Sequence, residues 1–216
     1  MTKLLPLAAT LIALSPIAAS AHPHVFADAR LEVVVGDNGE ITELRNVWRF
    51  DEVFSSSVLM DFDKNTNLKL DQPELEEIGK TVLESLQEYN YYTTLTDNGK
   101  LIGVAKPDVI NVDYKDGQLL MFFAVKPAVP MPLKGKLTFG VYDPTLYTSI
   151  DFPTDNDAVL MGKASGCTHA VVRPDPDEVI AENKSTLTDA FFNDPTGTDM
   201  SKIFATKLEL NCTAKG

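Results

Sequence analysis

Val109-Ile110-Asn111-Val112-Asp113-Tyr114-Lys115-Asp116-Gly117-Gln118-Leu119-Leu120-Met121-Phe122-Phe123-Ala124-Val125 is the stretch that decides the fold class. Two β-rich runs flank Lys115-Asp116-Gly117, and Asp-Gly is a strong hairpin signal because both residues tolerate positive φ. The device recurs twice. Residues 31–35 and 41–44 flank Gly36-Asp37-Asn38-Gly39, and residues 91–96 and 100–104 flank Asp97-Asn98-Gly99. Residues 137–141 add another strand, while Pro127, Pro130 and Pro132 mark a turn or a sheet edge, since proline cannot donate to a ladder.

Outward from these hairpins the period changes. Phe50, Phe54 and Val58 recur at i, i+4 and i+8 in a segment ending near Met60. Leu75, Ile78, Val82, Leu86 and Tyr89 make a second helical stripe. Ser55-Ser56-Ser57 has no histidine nearby in sequence and reads as helix surface. After Pro174, residues 178–192 read as a surface helix. The expectation is one α+β domain over residues 22–216. It is a hairpin-rich sheet or β-sandwich with an inserted EF-hand-like helix–loop–helix, the helical pair lying at about 50–89.

The loop between the two helical stripes is Asp63-Lys64-Asn65-Thr66-Asn67-Leu68-Lys69-Leu70-Asp71-Gln72-Pro73-Glu74. Against a twelve-residue calcium loop, Asp63, Asn65, Asn67, Asp71 and Glu74 fall at positions 1, 3, 5, 9 and 12. Lys69 offers its backbone carbonyl at position 7. Leu68 stands where glycine normally makes the sharp turn, which weighs against Ca2+, because a left-handed non-glycine residue costs roughly 1–2 kcal/mol. A metal-free reading stands beside it: Asp71-x-x-Glu74 with Pro73 inside is also a helix-capping signature.

Residues 1–21 carry a short basic start at Lys3, an apolar run and the small-residue pattern Ala19-Ser20-Ala21, the signature of a cleaved export signal. The apolar run is shorter than the roughly 20 residues of a spanning helix. Cleavage would leave His22-Pro23-His24 as a new terminus. Its α-amine and the His22 imidazole can chelate one metal ion, with His24 two residues on and His169 or a carboxylate such as Asp28 completing the shell. Amine and imidazole ligands suit Ni, Co, Zn or Cu. Solvated histidines at a frayed end are the alternative. Cys167 and Cys212, an even pair in an exported chain, are expected to form a disulfide worth about 4 kcal/mol in the chain-entropy model.

Composition narrows the function. With 31 Asp+Glu against 19 Lys+Arg, a formal net charge of −12 excludes nucleic acid as a partner, because little would release phosphate counterions. No nucleophile elbow, phosphate-cradling glycine loop or HExxH occurs, so the chain is not read as an enzyme.

The motifs in order are His22-Pro23-His24-Val25-Phe26-Ala27-Asp28, Trp48-Arg49-Phe50-Asp51-Glu52, the loop at 63–74, Tyr91-Tyr92-Thr93 and Tyr142-Asp143-Pro144 with Tyr147. Together they resemble the domain-of-unknown-function 1007 family of bacterial periplasmic proteins. The resemblance implies a periplasmic component of an uncharacterised ABC-type transport system, associated with nickel/cobalt exporter-like membrane proteins. Trp48 and Tyr142-Asp143-Pro144 are read as packing and turn residues. The expected function is a periplasmic metal-binding accessory of a membrane transporter, itself not membrane-embedded. The alternative is a calcium-stabilised structural or interaction module.

Overall fold

The computed structural model describes residues 23–188, 191 and 200–213. The expected export signal and His22 lie outside the described residues, as does part of the expected helix at 178–192. In chain order the strands are β1 (Val25–Val35), β2 (Ile41–Phe50), β3 (Thr93–Asp97), β4 (Lys100–Leu101), β5 (Val104–Ala105), β6 (Asn111–Lys115) and β7 (Gln118–Pro127). Then come β8 (Gly135–Val141), β9 (Thr148–Asp151), β10 (Ala158–Met161), β11 (Cys167–Val172) and β12 (Lys207–Cys212). The helices are α1 (Glu52–Phe62), α2 (Gln72–Ser85) and α3 (Pro176–Glu182).

The strands form two sheets. In the first, β1, β2 and β7 run antiparallel in that order, β5 and β6 both pair with β7, and β9 and β10 both run parallel to the outer side of β1. The second is antiparallel throughout, in the order β11-β12-β8-β3-β4. Strict alternation along β1 and β7 turns one face of each strand inward. Leu31, Leu44, Trp48 and Leu119 of the first sheet and Leu95, Leu137, Phe139, Leu208 and Leu210 of the second are almost fully buried in one hydrophobic core.

All three expected hairpins form, with Gly39, Asn98, Gly99, Asp116 and Gly117 at positive φ in their turns. Two readings need correction. Phe50 is the last residue of β2, not part of a helix: it follows Trp48 on the inward face, and α1 starts only after Asp51. Tyr91 and Tyr92 do not open a strand; they end a 3-10 turn at φ 53° and 51° before β3 begins at Thr93.

The two helices cover one end of the first sheet. Ser55 is fully buried, and its Oγ accepts the backbone N–H of Leu119 at 2.9 Å while donating to the Asp51 carbonyl at 2.6 Å. It pins α1 to β7, so the serine run is not wholly surface. Gly79 lets α2 reach residues 108–112, for a Cβ there would stand 2.2 Å from the Ile110 carbonyl oxygen.

Candidate functional site

The loop joining α1 to α2 is built by its own side chains. Asp63 accepts the backbone N–H of Asn67 on Oδ1 at 3.1 Å and that of Leu68 on Oδ2 at 2.7 Å. Asn65 and Asn67 turn their Oδ1 atoms onto the N–H groups of Asn67 and Lys69. Their amide nitrogens both donate to Asp71 Oδ2, at 2.8 and 3.0 Å. Leu68 takes φ 61° and Thr66 φ 58°. Leu68 thus makes the left-handed turn that glycine usually makes at this position, the residue itself being 81% exposed.

Asp71 caps α2 and Glu74 completes a capping box, its Oε2 accepting the Asp71 N–H at 2.8 Å. Glu74 Oε1 accepts the Lys64 N–H at 2.8 Å, so this buried carboxylate ties the loop's start to its end. Leu70 is buried in the core beneath the loop. Asp63, Asn65, Asn67, Asp71 and Glu74 are thus gathered within one turn of chain, each engaged with loop N–H groups. Among the described residues no group of three or more His, Cys, Asp or Glu side chains is placed to hold a metal ion.

The histidines are dispersed. His24 enters the first sheet, its N–H on the Tyr147 carbonyl at 2.9 Å and its ring 5.1 Å from that of Tyr147. Asp28 lies within β1, four residues on from His24. Its carboxylate is bound there to Arg49 at 2.6 Å. His169 sits in β11, at the edge of the other sheet. The expected disulfide is present: Cys167 and Cys212 are direct partners across β11 and β12, 45 residues apart in sequence.

Trp48 and Tyr142-Asp143-Pro144 are packing and turn residues. The Trp48 ring lies against Tyr92 and meets Phe123 edge-on at 4.9 Å. Asp143, 2% exposed, accepts from Thr145 N, Thr145 Oγ1 and Thr148 N and bonds the Tyr92 hydroxyl. Burial, then the Asp143 charge, pushes the Tyr92 hydroxyl well above the ordinary tyrosine value, so it stays protonated.

Sequence reasoning missed Asp51. Its Oδ1 caps α1 through Val53 and Phe54, and its Oδ2 accepts the Phe26 N–H at 2.9 Å, joining β1 to the helix. Burial opposes its ionisation, but the N–H groups of Phe54, Phe26 and Val53 outweigh this and hold its carboxyl below the ordinary value. The available signal was an acidic residue between a strand and a helix. Beside it lies a cleft of about 270 Å³ lined by Phe26, Asp28, Arg49, Gln118, Ser149 and Asp151.

These features define a two-sheet α+β protein with a helical hairpin, one cross-strand disulfide and no helix, among the described residues, long and apolar enough to cross a membrane. The chain belongs to the family described as "Protein of unknown function (DUF1007)", whose profile matches residues 7–212. An uncharacterised 15.5 kDa protein in the trpE 3' region of Spirochaeta aurantia is 28% identical over 119 residues, 55% of this chain and 85% of that protein. The solved acetylcholine-binding protein type 1 of Biomphalaria glabrata is similar over 92% of this chain and 89% of its own. Its identity to this chain is 12% and the TM-score 0.37.

Proposed function

We propose that the protein is a non-catalytic, exported metal-binding accessory module, and that calcium in the EF-hand-like loop at 63–74 is the metal its geometry supports best. One observation carries this reading: Leu68, an exposed leucine, is held left-handed by Asp63. A conformation costing roughly 1–2 kcal/mol persists only where its surroundings over-determine it, and such strain gathers at ligand clamps. Asp63, Asn65, Asn67, Asp71, Glu74 and the Lys69 carbonyl would supply the six or so oxygens that calcium needs once the loop side chains turn from their present N–H partners toward the ion. The ion would fix the angle between α1 and α2 and so the surface the hairpin presents.

Thermal unfolding in chelator and in calcium tests this. Calcium raises Tm in the parent protein and leaves Asp63→Ala and Glu74→Ala unmoved. An equal Tm with and without calcium, in a protein that stays folded in chelator, removes the reading.

A second reading makes the accessory role one of transition-metal handling for a membrane transporter through His22 and His24. It is favoured by the anchoring of His24 on Tyr147, which fixes where a processed terminus emerges. Export to the periplasm, with which the disulfide is compatible, would create the His22 amine ligand. Elemental analysis of the processed protein and of His22→Ala with His24→Ala separates the two: Ni, Co, Zn or Cu lost in the variant supports it, and equal contents remove it.

A further inference from the structure

β11 buries almost nothing, yet it is fastened at both ends. Thr168, His169, Ala170 and Val172 are exposed, and only Cys167 and Val171 are half-buried. At its start the disulfide binds Cys167 to Cys212, and Thr213 donates to the Gly166 carbonyl. At its end Arg173 bonds Asp151, the Phe152 carbonyl and Thr206. A strand that adds so little to the core gains a fixed position from these fastenings, and its outer edge has no partner strand among the described residues. Edge strands are ordinarily blunted by charge, proline or a bulge. β11, Cys-Thr-His-Ala-Val-Val, has no Asp, Glu, Lys, Arg or Pro and pairs with β12 without a register shift.

The register says which backbone groups are free. Cys167 and Cys212 have Cα atoms 4.0 Å apart, the spacing of a non-hydrogen-bonded antiparallel pair. Alternation makes His169–Leu210 and Val171–Leu208 non-hydrogen-bonded as well. The N–H and C=O groups of His169 and Val171 therefore point away from β12, along the open edge.

That pattern is self-complementary. In an antiparallel copy centred on Ala170, His169 faces Val171 of the second chain and Val171 faces its His169, both as hydrogen-bonded pairs. Ala170 meets Ala170 in the non-hydrogen-bonded position, where the two methyl groups raise no obstacle to the closer approach of the chains. The four outward groups of His169 and Val171 on each chain are satisfied, and no like charges oppose within the strand. We propose that the occupant of this edge is the β11 strand of a second copy, joining two five-stranded sheets into one about a two-fold axis. Because each copy carries a net charge of −12, mutual repulsion opposes the pairing and added salt relieves it.

Sedimentation equilibrium on the purified protein across concentration and NaCl tests this. The parent protein dimerises, more tightly at higher salt. His169→Pro removes an outward N–H without touching a bond to β12, and Ala170→Lys places two ammonium groups at the axis. Each raises the dimer Kd at least about tenfold with an unchanged circular dichroism spectrum, and either variant alone suffices if the other misfolds. A protein that stays monomeric at millimolar concentration overturns the proposal, even if it binds an unrelated extended peptide at this edge. So does a dimer that both substitutions leave intact.

Discussion

Leu68 gives its backbone N–H to Asp63 Oδ2 at 2.7 Å while its own φ stands at 61°. The two facts are linked. An aspartate at the first loop position draws the sixth residue's N–H inward, and only a left-handed backbone there lets the chain turn back toward α2. Glycine would do this at no steric cost; leucine does it against a penalty, with its side chain in water.

Leu68→Gly therefore stabilises the protein. The side chain packs on little, so the gain is the relieved conformational cost less glycine's greater unfolded-state freedom, about 1 kcal/mol net. Urea unfolding in chelator should show a higher midpoint with an unchanged m-value. A lower midpoint means Leu68 makes contacts that this conformation denies it.

Ser55→Ala costs about 1–3 kcal/mol, because it leaves the buried Leu119 N–H without an acceptor. Ser56→Ala and Ser57→Ala, whose hydroxyls donate to carbonyls of their own helix at the surface, stay within about 0.5 kcal/mol. Chemical denaturation of the three variants side by side checks the contrast.

Asp51→Ala removes the α1 cap and the link to Phe26 and costs about 0.5–2 kcal/mol at neutral pH. The carboxyl's folded pKa lies below its ordinary 3.8, so its contribution is fully present above that value and is lost as pH falls through the folded value. The stability gap between parent and variant, followed by urea unfolding, should hold from neutral pH to about 4 and close below it. A gap that widens on acidification contradicts the assignment.

How much of this was legible in the sequence depends on how local each cause is. The hairpin turns at Asn98-Gly99 and Asp116-Gly117 declare themselves because two adjacent residues set the backbone. The acidic and amide side chains that brace the loop at 63–74 could be counted off by spacing, and the disulfide followed from two cysteines. β9 and β10 could not be read: each has four residues and exists only by pairing parallel to β1, more than a hundred positions away. Phe50 matched a helical period by chance, and its place was decided by its strand neighbours Trp48 and Gln118. The burial of Ser55 comes from Leu119, 64 residues on, and no window around the serine run contains it.

Removal of the disulfide with Cys167→Ala plus Cys212→Ala lowers stability by about 4 kcal/mol in the chain-entropy model. It should also loosen β11 first, visible as faster amide exchange at residues 168–172 than in the core strands β8 and β12. Uniform protection across both variants and strands would show that β11 is held by other means.

Whether the loop at 63–74 takes up calcium is tested most directly by isothermal titration of calcium into the purified, chelator-treated protein. One saturable site per chain is predicted, abolished in Asp63→Ala and in Glu74→Ala and strengthened in Leu68→Gly. No heat of binding in the parent protein, or a site that survives both alanine substitutions, contradicts it.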